Sequence, residues 1–97
     1  MEVVYKEAIE INLKERNIFY EREKEFEIEY KGTILKHSFF ADFVIFENII
    51  LEVKAAEGEI SDSNIAQTLN YLKASENKVG LLINFGRSKL EYKRLVF

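Results

Sequence analysis

The chain has 97 residues, one histidine and no cysteine, so disulfide frameworks, thiolate zinc sites and thiol nucleophiles are excluded. The length fits a single domain over residues 1–97, and 47% hydrophobic with 32% charged residues is ordinary for a globular protein. A net charge of −3 argues against a protein that coats nucleic acid nonspecifically. No apolar run approaches the ~18 residues of a membrane span, and no signal peptide is evident, so we expect a cytoplasmic protein without a membrane partner.

The first part of the chain is predicted to form a helix followed by a strand. A helix is predicted over residues 2–16, and Asn17 suits the left-handed conformation at a helix end. From Phe19 the apolar residues recur at every second position, which predicts a strand with one acidic, solvent-exposed face. Lys31-Gly32 predicts the turn that follows this strand. The apolar stripe expected on the helix consists of Val4, Ala8 and Ile11, widened by Tyr5 and Ile9.

The remaining chain predicts two apolar strands, a second helix and two further strands. They are expected near residues 39–46, 49–55, 63–75, 79–85 and 90–96. Ser61, Asp62 or Ser63 is expected to cap the second helix, and Asn77 to end it. The order α-β-β-β-α-β-β predicts an α/β fold in which a mixed β-sheet is flanked by two helices.

Three charged residues interrupt the most apolar strands. Asp42 lies within the first of them, and Glu52 and Lys54 lie within the second, on the same strand face. If these strands pair through the short Glu47-Asn48 connection, Asp42 lies beside Glu52. Carboxylate oxygens are the ligands that Mg²⁺ and Mn²⁺ prefer, and a lysine beside them could orient a water or stabilise developing charge. A partly buried salt-bridge cluster without a cation explains the same residues equally well.

A resemblance to a known family favours the first interpretation. Ala41-Asp42 followed by Glu52-Val53-Lys54 resembles the signature of the PD-(D/E)XK nuclease superfamily, with alanine where proline is frequent. The segment from Gln67 to Tyr71 is similar to the QxxxY motif of the RecB-like branch. Residues 2–5 resemble the second half of the GxxExxY motif of a family within that superfamily, whose leading glycine would fall before Met1. The resemblance covers nearly the whole chain and implies a restriction-endonuclease-like fold.

The resemblance also implies an activity and a set of site residues. It implies a nuclease that uses Mg²⁺ or Mn²⁺ to hydrolyse phosphodiester bonds. The implied metal ligands are Asp42, Glu52 and Glu2, with Glu7 in reserve, and Lys54, Gln67 and Tyr71 complete the catalytic set. Phe40 stands where the family commonly has an arginine next to the acids, so a catalytically weak or inactive binding module is the alternative function. A third alternative is an unrelated interaction protein whose acids form salt bridges.

The charge distribution predicts where nucleic acid would lie. Residues 1–30 carry 5 basic and 9 acidic side chains, whereas residues 61–97 carry 6 basic and 3 acidic ones. A phosphate backbone should follow the basic part, where the expected contacts are Lys73, Arg87 and Lys89. DNA is expected rather than RNA. A homodimer, with apolar contact from the last strand, is a further expectation that follows from the small size and the family.

Overall fold

The computed structural model describes residues 2–55, 60–76, 79–86 and 90–96. Within them, two helices and five strands follow one another in the predicted order. Neither of these helices is long and apolar enough to cross a membrane. The elements are α1 Glu2–Glu15, β1 Tyr20–Tyr30, β2 Thr33–Ile45, β3 Ile49–Lys54, α2 Asp62–Ser75, β4 Val79–Asn84 and β5 Glu91–Val96.

All five strands form one sheet in the order β1-β2-β3-β4-β5. Strands β3 and β4 are parallel, from Ile49 beside Val79 to Lys54 beside Asn84, and α2 is the crossover between them. The other neighbouring strands pair antiparallel. The predicted mixed sheet is confirmed, and the carboxyl ends of β3 and β4 lie side by side at one end of it.

The two helices cover opposite faces of the sheet. Leu72 of α2 packs in one buried cluster with Ile50 of β3, and Leu13 of α1 packs in another with Leu51. Adjacent residues of a strand face opposite sides, so these clusters lie on the two faces of the sheet. Glu52 has the parity of Ile50 and therefore belongs to the face that α2 covers.

The stripe that α1 turns toward the sheet differs from the predicted one. Val4 and Ile11 are 52% and 57% exposed. At about 100° per residue, Ile11 lies on the opposite side of the helix from Ile9. The side chains that contact the sheet are those of Tyr5, Ile9 and Leu13. The prediction is confirmed for Tyr5 and Ile9 and was wrong for Val4 and Ile11, because α1 carries two apolar stripes and the one with the larger side chains fills the space above the sheet.

Strands β1 and β2 form a long hairpin. Its turn is the predicted Lys31-Gly32, with φ values of 51° and 81°, and this left-handed pair matches the twist of the two strands. Strand β2 begins at Thr33, well before the predicted start near residue 39. Residues 33–37 are exposed, so backbone pairing with β1 at Thr33, Ile34 and Ser38, across a shift in register, holds this part of the strand. Without a buried face they show no apolar alternation that could reveal the strand.

Helix α2 begins and ends on local signals. Ser61 is the N-cap, and its hydroxyl accepts a hydrogen bond from the Asn64 N–H while the Asn64 side chain accepts one from the Ser61 N–H. One of the three predicted caps is thereby confirmed. The C-cap is Glu76, with a left-handed φ of 62°, whereas the predicted Asn77 lies outside the described residues.

Candidate active site

The candidate site lies where β2 and β3 stop pairing through their backbones. Phe43 and Leu51 are the last paired residues, and the next position on each strand is an acid, Asp42 or Glu52. The Val53 N–H donates to Asp42 Oδ2 at 2.7 Å, so a carboxylate accepts the bond that a strand carbonyl would otherwise accept. The register therefore brings the two acids side by side and fixes one of them to the backbone.

Helix α1 supplies a cation to Asp42. Lys6 Nζ lies 2.7 Å from Asp42 Oδ1, and the two side chains are 16% and 12% exposed. Lys6 reaches this position because Ile9 and Leu13, on the same side of the helix, anchor α1 on the sheet. The lysine also lies 3.4 Å from Glu23 Oε1. Burial by itself would lower the pKa of Lys6, but the hydrogen bond and charge of Asp42 outweigh it and raise that pKa.

Glu52 carries an unsatisfied oxygen. The residue is 5% exposed, and Oε1 is the one buried side-chain oxygen or nitrogen without a hydrogen-bond partner in the described part of the chain. Burial, followed by the charge and hydrogen bond of Asp42, raises the pKa of Glu52 to about 8. The carboxyl group is therefore mostly protonated at neutral pH. Since an uncompensated buried charge costs several kcal/mol, full ionisation here calls for an added positive charge.

Lys54 lies on the same strand face as Glu52, about 6.5–7 Å further along β3. Its backbone is held from the side of β4, because it pairs beside Asn84 and its carbonyl accepts the Phe85 N–H at 2.9 Å. Burial raises the pKa of Glu52, whereas the positive charge of Lys54 lowers that pKa. The ammonium group thus belongs to the electrostatic environment of the acid pair.

Helix α2 brings Tyr71 to the acids. The Tyr71 ring stacks on Phe39, with the ring centroids 4.0 Å apart and the planes at 3°. Burial, and then the charges of Glu52 and Asp42, raises the pKa of Tyr71, whereas a hydrogen bond from the exposed Gln67 lowers it. Gln67 and Tyr71 are four residues apart and so share a helix side. Lys54 and Tyr71 therefore lie within electrostatic range of the acid pair, and Gln67 is hydrogen-bonded to Tyr71.

Comparison with protein families identifies the same segment of chain. The family model for the PD-(D/E)XK nuclease superfamily matches residues 1–95, which include both acids and the lysine. The chain belongs to this superfamily.

A solved protein shares the fold of this superfamily member. The crystal structure of SSO0001 superposes on 98% of the chain with a TM-score of 0.70 and 20% sequence identity. The match covers 50% of that protein, so the chain spans about half its length. At this identity the likeness concerns the fold alone. No curated protein matches the chain.

A third acid does not join the pair. Among residues 2–55, 60–76, 79–86 and 90–96, no three His, Cys, Asp or Glu side chains lie together as a metal-binding group. Glu2 is exposed and begins α1 one turn before Lys6, on the same side of the helix. Glu7 is also exposed, and it lies about 140° around the helix from Glu2. Of the two predicted acids, Glu2 is therefore the one on the helix side that reaches Asp42.

The structure separates Lys73 from the acids. Lys73 lies about 200° around α2 from Tyr71, so the two residues occupy different sides of the helix. Arg87 and Lys89 lie outside the described residues, and contact of all three with nucleic acid stays a prediction. Lys73 instead lines a cavity of about 410 Å³ together with Ile28, Glu29, Asn70, Ala74 and Glu76.

Sequence reasoning did not single out Lys6 as a partner of Asp42. A signal was present, since Lys6 follows Glu2 by four residues and a motif acid was expected to project from that helix side. The helix pattern alone cannot show that an ammonium group at this position ends 2.7 Å from a carboxylate on another element.

A buried polar network beside Lys54 was also missed. Asn84 is fully buried; its Oδ1 accepts the Gly86 N–H at 3.0 Å, and its Nδ2 donates to Glu91 Oε1 at 3.4 Å. The same Glu91 oxygen accepts the Ile60 N–H at 2.8 Å. The network joins the ends of β4 and β5 to the start of α2, and an asparagine between apolar strand residues was the sequence signal for it.

Proposed function

We propose that the chain is a divalent-metal-dependent nuclease that hydrolyses phosphodiester bonds, with DNA as its substrate class. The observation that carries the proposal is the unpartnered, buried Glu52 Oε1 beside Asp42. A buried oxygen without a partner costs about 1–3 kcal/mol, so folding alone gives no reason to retain it. A ligand that supplies positive charge would satisfy the oxygen, and membership of a nuclease superfamily indicates which chemistry that charge serves.

The residues at the site fit Mg²⁺ or Mn²⁺. Asp42 and Glu52 offer hard carboxylate oxygens, which these ions prefer, and both are positioned by the ends of paired strands. Glu2 is the further ligand that we propose, because it lies one turn from Lys6 on the side of α1 that reaches Asp42. When bound, such an ion polarises a phosphoryl oxygen and lowers the pKa of a bound water.

The other residues act on the substrate and the water. Lys54 carries a positive charge on the face of Glu52, where it can orient the attacking water or stabilise charge that develops on the phosphoryl oxygens. Tyr71 is held rigidly against Phe39 and is hydrogen-bonded by Gln67, so this pair can contact the substrate backbone or position Lys54. Lys54 thus acts on the water or the phosphoryl group, and the Gln67–Tyr71 pair acts on the substrate backbone or on Lys54.

Two motifs support a finer placement in the RecB-like branch and the GxxExxY family. Gln67 and Tyr71 lie together on α2 next to the acids, as a QxxxY motif requires. Tyr5, the last residue of the second motif, stacks on Phe85 directly after β4, with the ring centroids 4.6 Å apart. The tyrosine thereby ties α1, and with it Glu2 and Lys6, to the carboxyl end of the parallel pair.

A binding module without catalysis is the second candidate function. Phe40 is 54% exposed and stands where the family commonly has an arginine, so that position supplies no cation for a phosphate or a carboxylate. The absence of this arginine would weaken substrate binding at the acids and leave a fold that binds nucleic acid without cutting it. Pairing of two copies through the exposed edge strand β5 would enlarge the binding surface in either case.

The test is a cleavage assay with the purified chain. Linear duplex, single-stranded and branched DNA and RNA are incubated with Mg²⁺ or Mn²⁺, and Asp42→Asn is assayed alongside. Cleavage should occur with the wild type and fall by about 100-fold or more in Asp42→Asn. The matched control is Glu27→Gln, which removes an exposed carboxylate from β1 and should leave cleavage unchanged.

Two outcomes would count against the proposal. Cleavage that persists in Asp42→Asn would come from a contaminating enzyme. Binding of nucleic acid without cleavage by the wild type, at any metal tested, would favour the binding module.

A further inference from the structure

Both oxygens of Asp42 already have partners. Oδ2 accepts the Val53 N–H at 2.7 Å, and Oδ1 lies 2.7 Å from Lys6 Nζ. The Val53 N–H belongs to the paired backbone of β3 and cannot leave without disrupting the sheet. The Lys6 ammonium is the end of a flexible side chain. A divalent cation that binds either oxygen of Asp42 therefore comes close to the Lys6 ammonium group, which lies 2.7 Å from Oδ1.

Lys6 and a divalent cation would compete for the same carboxylate. Two cations that share one carboxylate repel each other, and the repulsion is strong here because Lys6 and Asp42 are mostly shielded from water. The competition ends when the ammonium moves to another acceptor. The flexible stem of lysine permits such a move without a change in the helix.

A second acceptor for Lys6 is built next to the first. Glu23 Oε1 lies 3.4 Å from Lys6 Nζ, and the Glu23 side chain is 48% exposed. Glu23 has a left-handed φ of 52° and lies between the paired residues 22 and 24 of β1. Such a conformation is uncommon and strained for a glutamate, so it persists only where the surrounding structure maintains it.

Both strands of the hairpin change face at the level of Glu23. Tyr20, before Glu23, packs in the cluster under α1, whereas Phe26, after it, packs in the cluster under α2, although both have the same parity. On β2, Phe43 and Ala41 differ in the same way, and the register between the strands is the same on both sides of Glu23. The Glu23 carboxylate lies beside the lysine of α1 at this level.

We propose that Lys6 is an internal counter-cation that neutralises Asp42 in the metal-free protein and passes to Glu23 when a divalent cation binds. The inference rests on the proposed function, since it concerns the same metal site. Lys6 and Glu23 then set the affinity of the site in opposite directions. Lys6 weakens metal binding by competing, and Glu23 strengthens it by accepting the displaced ammonium group.

Isothermal titration of the full chain with Mn²⁺ tests the proposal without any measurement of activity. Lys6→Met should bind Mn²⁺ about tenfold more tightly than the wild type, because the competing charge is gone. Lys14→Met is the matched control, since it removes the same charge from the exposed last turn of α1 and should change the affinity little. Glu23→Gln, at an exposed position, should bind Mn²⁺ more weakly.

The double variant separates a relay from a general effect of charge. If Glu23 acts through Lys6, Glu23→Gln has no effect on Mn²⁺ affinity in the Lys6→Met background. If both residues act only through long-range electrostatics, their effects add. Additive effects would overturn the proposal.

The remaining outcomes are also distinct. Unchanged affinity in Lys6→Met, with a wild type that binds Mn²⁺, overturns the role of Lys6 and leaves the proposed function intact. Weaker or lost binding in a folded Lys6→Met means that the lysine positions Asp42 for the metal, which also overturns the competition. Absence of Mn²⁺ binding in both folded proteins overturns the metal site itself, and the inference with it. If Lys6→Met does not fold, the affinity of Glu23→Gln for Mn²⁺ tests the proposal. Weaker binding than in the wild type supports it, and unchanged binding overturns it.

Discussion

Glu52 and Asn84 are buried polar side chains in adjacent parallel strands, and their surroundings differ. Asn84 is fully buried and uses its amide to accept the Gly86 N–H and to donate to Glu91. Glu52 is 5% exposed and leaves Oε1 without a partner. The two residues are a short distance apart, since Lys54, two positions after Glu52, pairs beside Asn84.

The difference distinguishes a polar group that has hydrogen-bond partners from one that keeps an unsatisfied oxygen. A satisfied buried amide joins loops to strands and stabilises the fold. An unsatisfied carboxyl oxygen destabilises the fold and needs another explanation, which the proposed metal ion would supply. If the contrast is real, substitutions at Lys54, Glu52 and Asn84 should affect cleavage, metal binding and stability differently.

Lys54→Ala should reduce cleavage by about 100-fold or more while the protein stays folded. Lysine is no metal ligand, so stabilisation by Mn²⁺ should be retained. Single-turnover cleavage and thermal unfolding of the same samples measure the two quantities, with Lys93→Ala on β5 as an exposed control. A loss of folding would instead show that Lys54 makes the buried acids tolerable, as in a salt-bridge cluster.

Mn²⁺ should stabilise the wild type and Asn84→Ala but leave Glu52→Gln nearly unaffected. A ligand that binds only the folded state adds about 2.7 kcal/mol to the free energy of unfolding at 100 times its dissociation constant. Thermal unfolding with and without Mn²⁺ measures the shift, and a chelator should reverse it. If Mn²⁺ raised the melting temperature of Glu52→Gln as much as that of the wild type, the ion would bind elsewhere.

Asn84→Ala should lower the free energy of unfolding by about 2 kcal/mol, because the Gly86 N–H and the Glu91 carboxylate lose a partner. For a domain of this size the melting temperature falls by roughly 10 °C. Glu52→Gln should cost much less in metal-free protein at neutral pH, because an amide replaces a mostly protonated carboxyl group. If urea unfolding showed the same loss of unfolding free energy in Asn84→Ala and Glu52→Gln, the contrast between the two residues would be contradicted.

Raising the pH from 7 to 8 should change stability and metal affinity in opposite directions. The pKa of Glu52 is raised from 4.5 to about 8, so the folded metal-free protein binds more protons than the unfolded chain, and its stability falls as the pH rises in this range. The apparent affinity for Mn²⁺ should rise by up to about tenfold, since the ion must displace that proton.

Glu52→Gln supplies the control for this pH experiment, because it cannot ionise. Its stability in the absence of metal should vary less with pH than that of the wild type. A wild-type protein that becomes more stable between pH 7 and 8, measured by urea unfolding without metal, would contradict the raised pKa.

The acid pair and its lysine could be predicted because the evidence for them is local. Asp42, Glu52 and Lys54 interrupt runs of apolar residues, which is unusual enough to indicate a metal site or a buried salt-bridge cluster. The short Glu47-Asn48 connection predicts that the two strands pair, and pairing brings the acids side by side. Gln67 and Tyr71 were predictable as a pair because four residues make one helical turn.

The outward face of α1 and the length of β2 could not be predicted in this way. Val4 and Ile11 have the spacing of a core stripe, yet both are more than half exposed. Only packing against the sheet decides which of two apolar stripes is buried. Likewise, the exposed start of β2 is a strand because β1 lies beside it.

The amino-acid sequence by itself determined the order of the elements, the turn at Lys31-Gly32 and the side-by-side position of Asp42 and Glu52, because alternation, helical spacing and turn residues act over a few neighbouring positions. The tertiary structure alone decided that Lys6 forms an ion pair with Asp42, that Glu23 lies within reach of the same lysine, and that Glu52 keeps an oxygen without a partner. Each of these depends on side chains from elements far apart in the chain. Their contacts follow from how α1 and the strands pack, and no local pattern records that packing.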